Sequence, residues 1–417
     1  MRARHVMFWI LVHATAFSGE VVRTEYYGQL PFWESPVQPI KGSMPLSAEE
    51  AADRIHVAIG FDRANRVVDI QLRLGSVYKE TQPFFGSMYV HGAHTKIEYV
   101  DGREIHRFYD RFGNRIEGWG DVWEKIYETD ALGRYRLMRF VDKAGAAIEN
   151  GWGILRYEWD YLPDGSVVET RFDGKGDWVT HRPGFEFKRI RMVFAADGHL
   201  TLMQNVDGRN QLTPSASGAA QYRYFYDRQG RFLRWEVYDE SGEPALGPTG
   251  TAGEDYVFEE GGRTRILFFD REGKPSFHDS GSVQWDWDCD RFGNIRHLRF
   301  RGLDGEPVAG RSGWATVAFE WDPTGRWLMG RTYFDVRGRM VNTVDGFAQI
   351  RYRRDGYGLL REQSFHDVEG KPVVSAYDRA AIIRYEYDER HRRIRTLKLG
   401  LDGKPIASDQ GSAEPAK

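Results

Sequence analysis

Glycine recurs along this chain at intervals of about 32 residues, and this spacing constrains the fold more than any single motif. Turn-like segments such as LPDGSV, YDRQGRF and CDRFGNI place Gly102, Gly133, Gly165, Gly198, Gly230, Gly262, Gly293, Gly325 and Gly358 in steps of 31 to 33 residues. A tenth segment, YDERHRR, has His391 at that place, and a degenerate eleventh copy opens the array with Asn65 there. Self-similarity at a fixed period of this size marks a repeat architecture. A second series, Gly113, Gly145, Gly176, Gly208, Gly242, Gly273, Gly305, Gly338, Gly370 and Gly403, follows 10 to 13 residues behind the first. Five of these ten continue as G-[KE]-P. Glycine supplies the positive φ such turns need, and the proline removes a ladder donor and ends regular pairing. The unit reads as strand, turn, strand, turn and a variable connector.

Ahead of each first turn the apolar positions alternate, as in Tyr222, Tyr224 and Tyr226 or Val317, Phe319 and Trp321. A period of two marks half-buried strands. The residue six before the turn position is aromatic at Tyr127, Tyr224, Tyr256, Trp287, Phe319, Tyr352 and Tyr385, which predicts a column of rings running from unit to unit. Each buried ring contributes roughly 4 to 6 kcal/mol of gross burial, so the column is expected to be core. An aromatic share of 14% agrees with an all-β fold of tandem hairpins in one elongated, twisted or spiralling antiparallel sheet.

The expected organisation is a signal peptide over 1–19, an extended N-terminal segment with a short capping helix over 20–54, repeats over 55–407 and a disordered tail over 408–417. The signal peptide rests on Arg2 and Arg4, the apolar run Val6 to Val12, and Ala14 and Ala16 in an A-x-A arrangement. It implies a periplasmic or extracellular protein with no membrane span once the signal is removed. Ser47 and Glu50 form the capping box of the expected helix. Cys289 is the only cysteine, so no intramolecular disulfide can form. With 58 Lys plus Arg against 61 Asp plus Glu, no broad basic field exists for nucleic acid.

The densest candidate for chemistry is QWDWDCDRFGN, residues 284–294. In register with the repeats, Asp290 takes the turn position shared with Asp130, Asp227, Asp322 and Asp388, where its carboxylate bonds nearby backbone N–H groups. Trp285, Trp287 and Cys289 fall on the aromatic face, Cys289 as a buried inert thiol. Asp286 and Asp288 fall on the polar face, about 7 Å apart, a spacing compatible with a shared cation or an inverting glycosidase pair. A solvated face with cross-strand Arg or Lys partners explains them equally directly. The histidines of VHGAHTK, His91 and His94, have no further ligand residues beside them. No phosphate loop, dinucleotide fingerprint, nucleophile elbow or zincin motif is present, and no metal or cofactor is expected. Trp119, Trp123 and Trp178 stand out in the connectors, either as ligand-binding rings or as rings tucked over sheet edges.

QYRYFYDRQGRF and IIRYEYDERHRRI resemble the YD repeats of Rhs proteins, teneurins and insecticidal toxin-complex shells. The likeness covers about residues 91 to 407 and is carried by Tyr224, Tyr226, Asp227, Gly230 and Arg231, and by Tyr385, Tyr387 and Asp388. It implies hairpins joined into a spiralling sheet able to enclose a polypeptide, although ten or eleven units are few for a closed shell. The expected function is non-enzymatic: an exported array that binds or scaffolds another protein or a glycan at the cell envelope. A carbohydrate-active or other hydrolytic enzyme using Asp286 and Asp288, and a structural spacer, are the alternatives.

Overall fold

In a computed structural model the described residues are 19–80, 92–182, 184–259 and 262–406. The segment read as a signal peptide, the tail and His91 lie outside them. Among the described residues 26 strands form one antiparallel sheet. The N-terminal extended segment contributes to it: β1 (Arg23–Gln29) pairs with β2 (Ser43–Leu46) on one side and β3 (Ile55–Phe61) on the other. Helix α1 (Ala48–Ala51) links β2 to β3 and carries the expected capping box, with Ser47 Oγ accepting from Glu50 N at 3.1 Å and Glu50 Oε2 accepting from Ser47 N at 2.7 Å. From β3 and β4 (Val67–Leu74) onward, hairpins follow one another along the sheet in chain order.

Each first turn is built on its aspartate. Asp290 Oδ1 accepts from the N–H groups of Phe292 and Asn294, both at 2.9 Å, and Gly293 has φ +93°. Asp130, Asp227 and Asp388 do the same. Asn65 and His391 take the left-handed conformation, at φ 60° and 65°, where the repeat otherwise has glycine. In the second turns the device recurs, with one change of register. Gly208 is not the left-handed residue expected; Asn210 is, at φ 63°, because Asp207 rather than its neighbour caps that turn. The stretch read as a variable connector is a third regular turn. Gly120, Gly153, Gly184, Gly218, Gly250, Gly281, Gly313 and Gly346 all have positive φ, and Arg379 ends the series at φ 54°. The G-K-P prolines form only isolated bridges, such as His366 to Pro372 and Leu399 to Pro405, as a residue without an N–H must.

One face of the sheet carries the ring column. Tyr127, Trp159, Tyr224 and Trp287 are buried, but Tyr256, Phe319, Tyr352 and Tyr385 are only half-buried. The column is therefore core in the first half of the array and an open surface over most of the second. Two residues nearer the turn, a second set of rings reaches back to the preceding hairpin. Tyr161 Oη donates to Tyr135 O (3.0 Å), Trp321 Nε1 to Ile295 O (2.8 Å) and Tyr387 Oη to Leu360 O (3.0 Å). The register shift beside each first turn, as between Asp288 and Cys289, accompanies this reach. Cys289 occupies the same place but is exposed rather than buried, since its side chain is too short to span the gap a ring covers.

The ladder is open, with β2 and Arg393–Leu399 as its edges, yet the sheet winds back on itself. Ile55 N–H donates to Phe292 O (2.8 Å), Lys79 Nζ to Gly325 O (2.7 Å) and Arg111 to Tyr357 O (2.7 Å). The last two pairs are 246 residues apart, between seven and eight repeats. Lys79 is fully buried over the Trp321 ring at 4.1 Å, and burial pushes its ammonium down to about 7. No helix among the described residues is long and apolar enough to cross a membrane.

Candidate functional site: the inner face of the coil

Between β1 and β2 the chain leaves the ladder and lies across the ring-bearing inner face. This strap has the sequence LPFWESPVQPIKG, residues 30–42. Its three prolines suit a segment without strand partners, because each removes a backbone donor that burial would leave unpaired. Gln38 Oε1 satisfies two others, accepting from Glu34 N at 2.8 Å and Ser35 N at 3.1 Å. Phe32 stacks on Phe232 with centroids 4.5 Å apart, and Trp33, Glu34, Ser35 and Gln38 are buried. Farther along, Lys41 Nζ donates to Asp197 O (2.7 Å) and Ser43 Oγ to Gly230 O (3.1 Å).

Two carboxylates fasten the strap. Glu34 accepts from His181 Nε2 at 2.6 Å and Tyr224 Oη at 3.1 Å, with Arg182 at 3.5 Å. Burial alone would push this acid up, but the Arg182 and His181 charges and the hydrogen bonds outweigh it and hold the carboxyl at about 2. Burial, with Arg171 nearby, pushes His181 down to about 4, so it is neutral at pH 7 and donates its Nε2 proton. Glu169, on the strand Val167–Phe172, accepts from Ser35 Oγ and from Trp159 Nε1 (2.7 Å) and forms an ion pair with Arg171. The Glu169 and Arg171 side chains are fully buried, and the Arg171 nitrogens meet Glu169 outside hydrogen-bonding geometry. Removing one member of such a pair leaves a buried charge uncompensated, so the cluster is a clamp.

Nothing in the sequence pattern singles out Glu34, Glu169, Arg171 and His181 as partners, since each is polar and they come from separate stretches. The one local sign is a charged pair, Glu169 and Arg171, at alternating positions that face inward.

The residues singled out from sequence do not converge. Asp286 and Asp288 lie on the outer face amid cations. Asp286 accepts from Arg301 (2.7 Å) and faces Arg299 (3.5 Å), while Asp288 contacts Arg299 (2.7 Å) and His297 (3.0 Å). Burial acts against Asp288, but His297 and Arg299 hold its carboxyl below the usual range. Asp286 also lines a shallow groove of about 410 Å³ with Glu259, Arg265, Gln284 and Arg301. Arg299 thus bridges both acids, in the same manner as Arg234 joins Asp255 and Glu236 one unit earlier. Trp119, Trp123 and Trp178 belong to the connectors of other units. Trp119 meets Trp152 edge-on at 4.9 Å, Trp123 lies beneath Arg115 (4.3 Å) and Lys143 (5.0 Å), and Trp178 is 39% exposed opposite Phe172. His94 is engaged by Asp69 and stacks on Tyr78 at 5.5 Å. Among the described residues no group of three or more His, Cys, Asp or Glu could hold a metal ion.

Beyond Thr316 the inner face has no strap. Phe319, Tyr352 and Tyr385 stand half-buried in their column, and Arg331, directly opposite Phe319, lies 5.6 Å from that ring and 6.0 Å from Tyr352. Its Nε is buried without a hydrogen-bond partner.

No protein-family model and no curated protein matches the chain. Among solved structures it is similar to TcdB2-TccC3-TEV, at 10% identity and TM-score 0.27 over 82% of this chain and 19% of that one. It is similar to TcdB2-TccC3 at 10% identity and TM-score 0.27, covering 85% of this chain and 20% of that one. For the Photorhabdus luminescens Tc holotoxin pore the values are 10%, 0.24, 84% and 19%. The chain spans about a fifth of the length of these solved chains.

Proposed function

We propose that the array is a non-enzymatic scaffold, exported to the periplasm or cell exterior, whose inner face holds an extended polypeptide of another protein. The observation that carries this reading is the strap itself. It is a proline-rich, extended segment laid across the inner face and fastened by side chains rather than by ladder pairing. The same ring column continues without a strap past Thr316, so a face of the kind that accepts a polypeptide in the first half is open in the second. Asp286 and Asp288, each engaged by cations, add no observation in favour of hydrolysis.

The test is selection of a random 15-residue peptide library displayed on phage against the full chain. Enriched peptides should lose binding to a Tyr352→Ala, Tyr385→Ala variant and keep it for an outer-face Arg351→Ala variant. Absence of enrichment, or binders sensitive only to the outer face, would count against the proposal.

A further inference from the structure

We propose that Arg331, set between Phe319 and Tyr352, anchors a carboxylate of the bound polypeptide, and that the preferred partner segment carries an aromatic residue two positions before an acidic one. This rests on the reading of the inner face as a polypeptide surface and names what that surface recognises.

The strap supplies the internal template. In an extended segment residues i and i+2 point the same way. Phe32 and Glu34 use that spacing, with the ring on Phe232 and the carboxylate among Tyr224, His181 and Arg182. Two elements are thus required of the receiving face: a ring and a cation close to the column. Past Thr316 both are present. The rings are Phe319, Tyr352 and Tyr385, and the cation within the same row is Arg331.

Charge on this part of the face is unbalanced. Arg361 is neutralised by Asp355 at 2.8 Å, and Arg354 by Glu80 at 3.3 Å. Arg331, Arg393 and Lys398 form no ion pair among the described residues; Arg393 leans on the Tyr385 ring at 5.8 Å, and Lys398 lies opposite Ile383. A guanidinium over a ring keeps its edge donors for an anion, and a carboxylate can take two of them at once. The surplus favours an acidic segment over a basic or neutral one. Arg331 is more confined than Arg393, which is exposed at the sheet edge, and so is the better anchor.

The probe is a fluorescein-labelled peptide of residues 28–42, GQLPFWESPVQPIKG, titrated into the full chain by fluorescence anisotropy. Saturable binding is expected, weakened about tenfold or more by Arg331→Glu, the loss expected when a charge-assisted contact is reversed. An Arg351→Glu variant changes net charge equally on the outer face and should bind like the wild type. A peptide carrying Glu34→Gln should bind the wild-type chain more weakly than its parent. Arg331→Gln, with thermal melts of every variant, separates loss of the anchor from loss of the fold. Equal effects of Arg331→Glu and Arg351→Glu would overturn the proposal. So would binding weakened by Arg182→Gln but not by Arg331→Glu, which would mean that the peptide exchanges with the resident strap. If this peptide fails to bind while peptides selected by display still require Tyr352 and Tyr385, the polypeptide surface stands and the acidic-aromatic preference falls.

Discussion

Replacing Glu34 by alanine should release the strap. The substitution removes the acceptor for His181 at 2.6 Å and Tyr224 at 3.1 Å and leaves Arg182 without its counter-charge at 3.5 Å. Breaking a buried pair costs about 3 to 5 kcal/mol. The Arg182 side chain is 35% exposed and can turn toward water, which places the expected loss near the lower figure. The protonation equilibrium gives a similar size. A carboxyl held at about 2 instead of 4.5 contributes about 3 kcal/mol to the native state at neutral pH. Because the folded value is depressed, that contribution is present above pH 4.5 and disappears as pH falls toward 2. His181, pushed down to about 4 from 6.5, acts in the same direction, with stability lost as pH falls below 6.5. A long repeat array need not unfold in one step, so the local readout is native-state hydrogen exchange of the Ser35 and Gln38 amides, which the strap's own turn protects. Glu34→Ala should lower their opening free energy by about 3 kcal/mol at pH 7, with the difference from wild type shrinking at pH 3. A change below about 1 kcal/mol at pH 7, or one independent of pH, would refute the clamp.

Three further outcomes are expected. Lys79→Ala removes the donor to Gly325 O and the cation over Trp321, and should destabilise the contact between early and late repeats by about 1.5 to 3 kcal/mol, read as faster hydrogen exchange around residues 324–327 with the strap unchanged. Arg379→Gly relieves the left-handed conformation at the end of the third-turn series and should stabilise the chain by about 1 kcal/mol; a lower melting temperature would contradict it. Cys289 should react with a thiol reagent in the folded protein, whereas protection until unfolding would mean that it is buried after all.

The repeat, its turns and the sheet were legible because each depends on residues close in sequence. Asp290 and Gly293 declare a turn by their own spacing, and Asn65 stands for glycine on the same logic. The third turn was missed because its residues, from Gly120 to Arg379, sit among dissimilar neighbours and share little beyond one positive φ. Cys289 was misplaced because alternation reports the side of the strand on which a residue starts, not whether its side chain reaches cover. The strap was beyond sequence reading for a different reason. PFWES shows an extended, proline-restricted segment, but its partners lie 134 to 190 residues away and have no periodic relation to it. Burial of the ring column failed at Phe319, Tyr352 and Tyr385 for the same cause, since alternation identifies the apolar face and not what lies over it.

The strap also sets an order of assembly. It emerges early during synthesis, yet Glu169, His181 and Tyr224 that hold it are made well over a hundred residues later. Hairpins, each closing a short loop, can form one after another meanwhile, whereas docking the strap must wait for a surface that does not yet exist. Until then PFWES is an exposed aromatic segment beside a growing sheet with an unpaired edge. The middle of the array therefore controls when the beginning becomes native, and slow synthesis there would lengthen the time the segment spends available to chaperones or to a neighbouring chain.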